Sequence, residues 1–177
     1  MSVSIPREPP DDAALSAAAA EVGAALKMRG LMLTTAESCT GGWVAQVITG
    51  VAGSSEWFER GFVTYTNTAK HEMLGVSQGT LEKFGAVSEE VVREMAGGAL
   101  KHSRAEVSLA VSGVAGPGGG TPLKPVGIVC LAWAAKGESA RSRVEHFSGN
   151  REAIRRRAVY ASLQGMLDFT ASAYPEA

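Results

Sequence analysis

The sequence predicts a three-layer α/β/α sandwich built on a mixed sheet of about five strands. Helical and strand periodicities follow one another in the order α-β-α-β-(short α)-α-β-β-β-α. Alternating helices and strands favour parallel pairing with helical cover on both faces, whereas the consecutive strands near the end favour antiparallel pairing. The 21 glycines among 177 residues indicate the tight turns that such a fold needs.

The first half of the chain alternates helices with strands. Asp12 can cap a first helix, and Gly30 stands where a helix end favours a left-handed residue. Residues 31–36 are predicted to form a buried strand, and a helix follows the pair Gly41 and Gly42. Strand, glycine turn and helix follow each other directly, which places the turn at the carboxyl end of a strand.

The second half begins with a strand over residues 60–66, followed by a turn that leads to Lys70. Ser88 caps a long helix that precedes a nearly uncharged strand over residues 107–112. Residues 113–125 contain too many glycines and prolines for regular structure and suit a loop that wraps a ligand. Residues 126–135 and 140–147 are predicted to form a hairpin, and a terminal helix begins at Arg151.

Chain length favours a single domain, because 177 residues bury roughly two thirds of the surface that the unfolded chain exposes. We expect a flexible N-terminal tail over residues 1–12 and one domain over residues 13–173. The tail lacks the apolar core of a secretory signal, and no segment is long enough to span a membrane, so we expect a cytoplasmic protein.

Charge and cysteine content exclude several classes of function. A net charge of −1 gives no general attraction to nucleic acid or to anionic membranes. Cys39 and Cys130 form no CxxC or metal-ligand pattern, so neither a disulfide framework nor a metal site is predicted. One local cluster departs from neutrality: Arg151, Arg155, Arg156 and Arg157.

Ser38 lies between the first strand and the glycine pair, where it can act as a nucleophile or help to bind an anion. A serine needs a base, and the three histidines, His71, His102 and His146, are predicted to be exposed. No GxSxG motif is present, so a Ser-His-Asp hydrolase is not supported. Lys70 follows the second strand and can reach the same edge of the sheet, although an isolated lysine is usually a surface residue.

Four motifs in matching order resemble the CinA C-terminal domain family, which includes stand-alone nicotinamide-nucleotide amidases. They are AESCTGG at residues 36–42, YTN at 65–67 with Lys70, SGVAGPGG at 112–119 and GNREA at 149–153. The resemblance covers about residues 14–170. The separate N-terminal domain of full-length CinA proteins is missing, so the chain resembles the stand-alone form.

The resemblance implies hydrolysis of the carboxamide of nicotinamide mononucleotide, giving nicotinic acid mononucleotide and ammonia, without a cofactor or metal. On this sequence it implies that Ser38 is the nucleophile and Lys70 its base. Tyr65 would orient Lys70 or relay a proton to the leaving amine. The amides at the start of the following helix would stabilise the oxyanion. These amides belong to Cys39, Thr40, Gly41 and Gly42.

The later motifs would then bind the rest of the substrate. Ser112 would face the reacting amide, and glycine backbone would approach the ribose or phosphate closely. The glycines concerned are Gly113, Gly116, Gly118 and Gly119. Arg151 would meet the 5′-phosphate at the start of the last helix, where the guanidinium and the helix dipole act together. For Arg156 and Arg157 a solvated helix face is the simpler interpretation.

Two alternatives to this interpretation stay open. Cys39 could be the nucleophile of a nitrilase-type site with Glu37 and Lys70, although neighbouring residues at a strand end tend to point in opposite directions. The chain could also be a catalytically silent nucleotide-binding or regulatory module. Nucleic-acid binding is not supported, because the sequence contains no basic stripe with interleaved aromatic residues. We expect a homo-oligomer, since sites of this kind are often completed by a neighbouring subunit.

Overall fold

One mixed sheet of five strands forms the middle layer of the computed structural model, which describes residues 8–175. The strands are β1 (Leu33–Glu37), β2 (Phe58–Val63), β3 (Val107–Gly113), β4 (Ile128–Ala135) and β5 (Arg141–His146). Their order in the sheet is β2-β1-β3-β4-β5. β1 pairs in parallel with β2 and β3, whereas β4 is antiparallel to both β3 and β5.

Helices cover both faces of this sheet. They are α1 (Asp12–Arg29), α2 (Trp43–Thr49), α3 (Asn67–Leu74), α4 (Gln78–Phe84), α5 (Glu89–Lys101) and α6 (Arg151–Ala173). α1, α2 and α6 share one apolar core with Leu33 and Leu109 of the sheet. α3, α4 and α5 share the other core with Ala36 and Ala110. The predicted α/β/α sandwich with a five-stranded mixed sheet is confirmed.

The topology brings four chain segments to one edge of the sheet. Glu37, the last residue of β1, lies opposite Val63 of β2 and Val111 of β3, so the three parallel strands end together. The loop from β3 to β4 starts at this edge, and β5 also ends there because it runs parallel to β3. The helices α2, α3 and α6 therefore begin at the same edge.

Several boundaries differ from the prediction because side chains cap helices earlier than expected. Asp11, not Asp12, is the N-cap of α1, and its carboxylate accepts a hydrogen bond from the Ala14 amide at 2.8 Å. The second strand ends at Val63, since the Thr66 hydroxyl caps α3. Lys70 consequently lies in a helix and not in a turn.

The predicted tail falls in part on residues 1–7, which lie outside the described residues. Within the described part, Pro10 is buried and its carbonyl accepts a hydrogen bond from Arg156 at 3.3 Å. None of the helices between residues 8 and 175 combines the length and the apolar character needed to cross a bilayer.

Candidate active site

Ser38 extends β1 by one residue into a tight turn. Its amide donates to the carbonyl of Val111 at 3.0 Å, and its carbonyl accepts from the Gly41 amide at 3.0 Å. Gly41 and Gly42 have φ values of +61° and +95°, which glycine adopts without steric cost. The turn therefore needs its glycine pair, and it presents Ser38 at the edge of the sheet with 8% of its surface exposed.

Lys70 approaches Ser38 from the neighbouring helix α3. Its Nζ lies 3.0 Å from Ser38 Oγ and 2.8 Å from the carbonyl oxygen of Thr64. The lysine is 1% exposed, and this burial lowers the pKa of its amine from the usual value. A lysine with a lowered pKa is neutral over a wider pH range, and a neutral amine can accept the serine proton.

Glu37 fixes the start of α2 from inside the turn. Its buried carboxylate accepts hydrogen bonds from the Gly42, Val44 and Ala45 amides at 3.1, 3.0 and 2.9 Å. The Thr40 hydroxyl donates to the same carboxylate at 2.6 Å. A carboxylate at a helix N-terminus satisfies otherwise unpaired donors and interacts favourably with the helix dipole. Glu37 is thus a cap of α2.

The amides available to an oxyanion are fewer than the sequence predicts. The Gly42 amide donates to Glu37, and the Gly41 amide closes the turn on Ser38. Within residues 8–175, the amides of Cys39 and Thr40 have no hydrogen-bond acceptor on another residue. These two donors directly follow the candidate nucleophile, which is where acyl-transfer enzymes place such donors.

Cys39 lacks the environment of a reactive thiol. It borders the same cavity as Ser38 but belongs to the apolar core. Burial raises the pKa of its thiol to about 12, the opposite of the activation that a nucleophilic cysteine needs. The Glu37 carboxylate caps α2, so it does not form the alternative nitrilase-type group with Lys70. The thiol alternative is therefore not supported.

Tyr65 contacts Arg151. Its hydroxyl accepts a hydrogen bond from Arg151 Nη2 at 3.0 Å, and the tyrosine is 58% exposed. Arg151 Nη1 donates to the carbonyl of Gly116 at 2.7 Å. The predicted orientation of Lys70 by Tyr65 is not found, because Ser38 and the Thr64 carbonyl are the hydrogen-bond partners of the lysine. Tyr65 and Arg151 instead join the end of β2 to the glycine-rich loop.

Ser112 borders the cavity beside Ser38, and its hydroxyl makes a contact that the sequence did not predict. Its hydroxyl donates to the carbonyl of Ala86 at 2.8 Å, so its proton is directed at the segment before α5 and not at a substrate. Of the predicted glycines, Gly113 borders the cavity beside Ser38, and Gly116 is connected to it through Arg151. Gly118 and Gly119 are exposed and do not border the cavity.

Two cavities are bordered by residues of the Ser38 turn. The inner cavity, of about 240 Å³, is bordered by Ser38, Cys39, Tyr65, Asn67, Lys70, Ala86, Val87, Ser112, Gly113, Ala115 and Arg151. The outer cavity, of about 530 Å³, lies between α1, α2 and α6. The three histidines are exposed, as predicted, and border neither. Among residues 8–175, no three His, Cys, Asp or Glu side chains converge as metal ligands would.

Arg155 is a site residue to which the sequence interpretation assigned no role. It borders the outer cavity, and its guanidinium donates to the carbonyls of Cys39 and Thr40 at 3.1 and 2.9 Å. The available signal was its position four residues after Arg151, since this spacing places both side chains on one face of the helix. The last helix therefore contacts both the glycine-rich loop and the Ser38 turn.

Comparison with known proteins identifies the family. The sequence model described as the CinA C-terminal domain matches residues 15–170. The chain belongs to the CinA C-terminal domain family. Family members with curated names include the nicotinamide-nucleotide amidohydrolase PncC of Escherichia coli (strain K12), which is 58% identical over 154 residues. That match covers 86% of this chain and 93% of the relative.

Other members of the family agree in sequence and fold. A protein of the same name from Pseudomonas putida is 51% identical over 149 residues, covering 84% of this chain and 92% of the relative. The crystal structure of the competence/damage inducible protein CihA from Agrobacterium tumefaciens aligns with a TM-score of 0.85 at 43% identity. The alignment covers 95% of this chain and 98% of that one.

Proposed function

We propose that the chain is a nicotinamide-nucleotide amidohydrolase that converts nicotinamide mononucleotide to nicotinic acid mononucleotide and ammonia. The 3.0 Å contact between the buried Lys70 amine and Ser38 Oγ carries the proposal, since a binding module has no need of a base beside a hydroxyl. The names of the relatives from Escherichia coli and Pseudomonas putida support the substrate.

In the first half of the reaction, neutral Lys70 takes the proton of Ser38 as its oxygen attacks the carboxamide carbon. The carbonyl oxygen becomes an oxyanion that accepts hydrogen bonds from the Cys39 and Thr40 amides. The Lys70 ammonium then gives its proton to the amide nitrogen, the carbon–nitrogen bond breaks, and ammonia leaves. A nicotinoyl ester on Ser38 results.

In the second half, water replaces ammonia. Lys70, neutral again, takes one proton from the water as its oxygen attacks the ester carbon. The second tetrahedral intermediate uses the same two amides. Its collapse breaks the ester bond, returns the proton from Lys70 to Ser38 Oγ and releases the product as a carboxylic acid, which then loses its proton to water. No cofactor is consumed in either half.

Arg151 and the loop after β3 are proposed to hold the ribose phosphate. Arg151 is the first residue of the 23-residue helix α6, and the Asn150 side chain caps this helix through the Ala153 amide at 2.9 Å. Cationic side chains and a helix N-terminus both favour a phosphate. In the described structure the guanidinium contacts Tyr65 and Gly116, so a phosphate would share or replace these contacts.

We propose one amidohydrolase domain over residues 13–173, a cytoplasmic location, and no nucleic-acid or membrane partner. A homo-oligomer is supported by the volume of the inner cavity, about 240 Å³, because ligand sites are usually about 300 to 1,000 Å³. A second copy would complete the site.

The direct test is ammonia release from nicotinamide mononucleotide by the purified protein. Free nicotinamide is the control that shows whether the ribose phosphate is needed. NAD is the control that shows whether a second nucleotide is tolerated. We expect release from the mononucleotide and much slower release from free nicotinamide. Binding of the mononucleotide without ammonia release would overturn the proposal and favour the catalytically silent module.

Two neighbouring variants test the nucleophile. Ser38→Ala should lower kcat by about 10⁴-fold or more, since loss of a nucleophilic serine removes the covalent route. Cys39→Ala should retain most of the activity, because the protonated thiol belongs to the core. Steady-state ammonia release measures both, with circular dichroism to confirm folding. The reverse pattern would identify Cys39 as the nucleophile.

A further inference from the structure

We propose that Arg155 is a positioning residue for the hydrolysis, which directs the Thr40 amide towards the oxyanion and holds the Ser38 turn closed. This inference rests on the proposed amidohydrolase function. It adds a residue outside the inner cavity to the machinery, since Arg155 borders only the outer of the two cavities described above.

The contact is a two-point clamp on consecutive carbonyls. Arg155 Nε donates to the Cys39 carbonyl at 3.1 Å, and Nη2 donates to the Thr40 carbonyl at 2.9 Å. The planar guanidinium has its donors in a rigid fork, so it fixes the relative orientation of two groups as well as their position. In the described residues the Cys39 carbonyl has no other hydrogen-bond donor, whereas Thr40 also accepts from the Trp43 amide at 3.1 Å.

The carbonyl positions determine where the amides point. In a trans peptide the C=O and N–H bonds lie in one plane and point in opposite directions. The Cys39 carbonyl faces Arg155 on α6, so the Thr40 amide in the same plane points away from α6. Lys70 approaches from α3, which packs on the other face of the sheet. The Thr40 donor therefore points towards the side from which the base reaches Ser38.

The second carbonyl closes the turn by the same geometry. The Thr40 carbonyl faces Arg155, and the Gly41 amide of that peptide points away and donates to the Ser38 carbonyl at 3.0 Å. This bond fixes the backbone of the candidate nucleophile. Arg155 thus acts on both the oxyanion donor and the residue that attacks, without contacting the inner cavity.

The Arg155 guanidinium packs against Trp43 and carries its positive charge next to the Cys39 and Thr40 carbonyls. It lies 5.0 Å from the centre of the Trp43 ring, a favourable cation–π arrangement. A cation bonded to a carbonyl polarises the whole peptide group and strengthens the N–H on its far side. The clamp and the polarisation both stabilise the oxyanion more than the neutral carboxamide. They therefore stabilise the transition state relative to the bound substrate.

The test compares Arg155→Ala with Arg156→Ala in the full chain. Arg156 is the matched control, because it is the next residue of α6 and lies 5.1 Å from the same Trp43 ring. Its hydrogen bonds go to Pro10, Asp12 and Glu152, and none reaches the Ser38 turn. We expect Arg155→Ala to lower kcat by about 10²-fold, near the cost of one oxyanion donor, with little change in KM.

Partial unfolding would also lower the apparent kcat, so three further measurements separate it from positioning. A pyridine boronic acid that adds to the serine hydroxyl counts the competent sites, and its affinity should fall in parallel with kcat. Arg155→Lys should recover activity only in part, since an ammonium lacks the fork. Guanidinium ion at millimolar concentration should partly rescue Arg155→Ala, because the side chain borders the open outer cavity.

The outcomes distinguish this inference from the function on which it rests. A wild-type chain that releases no ammonia would overturn the proposed function and the inference together. If the wild type is active and Arg155→Ala matches Arg156→Ala in kcat per titrated site, only the role of Arg155 is wrong. The positioning role would also be overturned if Arg155→Ala lowers kcat but leaves the affinity for the boronic acid unchanged and is not rescued by guanidinium ion.

Discussion

Lys70 is buried, and its amine has two polar contacts. Ser38 and the Thr64 carbonyl are within hydrogen-bonding distance, and the lysine is 1% exposed. Burial disfavours the charged form, which lowers the pKa of the amine. A lysine that lies on the surface would stay protonated at neutral pH and could not serve as a base.

The lowered pKa predicts the pH dependence of the reaction. kcat/KM for ammonia release should rise as Lys70 loses its proton, with a midpoint below the usual lysine value of 10.5. The Lys70→Met variant should lose both ammonia release and the rise of kcat/KM with pH. The measurement is the pH profile of kcat/KM through the neutral and alkaline range. A profile without a rising limb would contradict the assignment of Lys70 as base.

The same variant gives an independent readout through folding stability. A depressed pKa in the folded state means that the unfolded chain binds more protons between the folded and unfolded pKa values. The free energy of unfolding of the wild type should therefore rise with pH in that interval, and Lys70→Met should lack this rise. Urea unfolding at several pH values measures it.

Single residues also mark the limit of sequence interpretation. Ser38 and Lys70 were predicted to lie together because both follow strands that end at one edge of the sheet. The hydrogen-bond partners of the Glu37 and Ser112 side chains were not predicted, since each contacts backbone groups that only the fold brings near. Arg155 was missed for the same reason: its partners are carbonyls more than a hundred residues away.

At the scale of elements, α3 owes its position to a close contact with α5. Gly97 and Gly98 are consecutive residues of α5 with different surroundings. A Cβ atom at Gly98 would collide with the backbone of Leu74, the last residue of α3, whereas one at Gly97 would meet nothing within 4 Å. Gly98 thus allows α3, which carries Lys70, to pack closely against α5.

The two glycines predict opposite effects of the same substitution. Gly97→Ala should stabilise the protein by about 0.5 to 1 kcal/mol, since alanine favours the helix. Gly98→Ala should destabilise it by about 1 to 3 kcal/mol through overpacking and should also lower kcat, because α3 must move. Urea midpoints and ammonia release measure the two effects. Equal behaviour of the variants would contradict this account of α3.

Helix caps made many element boundaries predictable, and long-range contacts explain the others. Gly30 and Ser88 act as caps in the structure, as the local sequence indicates. The end of β2 and the start of α3 were less visible, because β-branched residues continue past Val63 while the Thr66 hydroxyl already caps the helix. The strand preference of the residues after Val63 is therefore overridden by the Thr66 cap of α3.

At the scale of the whole molecule, apolar side chains in the glycine-rich loop are left exposed. Leu123, in the glycine-rich loop, is 91% exposed, and Val126 in the same loop is also exposed. This loop contacts Arg151 through Gly116. Exposed apolar side chains in a loop that contacts Arg151 support the proposal that a second copy of the chain covers this loop.

The proposed oligomer predicts a different response at two exposed apolar residues. Leu123→Glu should shift the protein to a smaller species, because a charge would be buried in the contact. Met28→Glu is the control: Met28 is 65% exposed but lies in the last turn of α1, roughly 24 Å along the helix from Asp12. Sedimentation velocity measures both variants. A monomeric wild type would contradict the proposal.

The position of Arg155 in the chain has a consequence for biosynthesis. Ser38 and Lys70 belong to the first half of the chain, whereas α6 is the last helix and packs against α1. A nascent chain on the ribosome therefore contains the proposed nucleophile and base before it contains the proposed clamp. Synthesis has to pass α6 before that helix can dock, so a chain that stops after β5 is expected to lack the contacts of Arg155 with the turn and to release no ammonia.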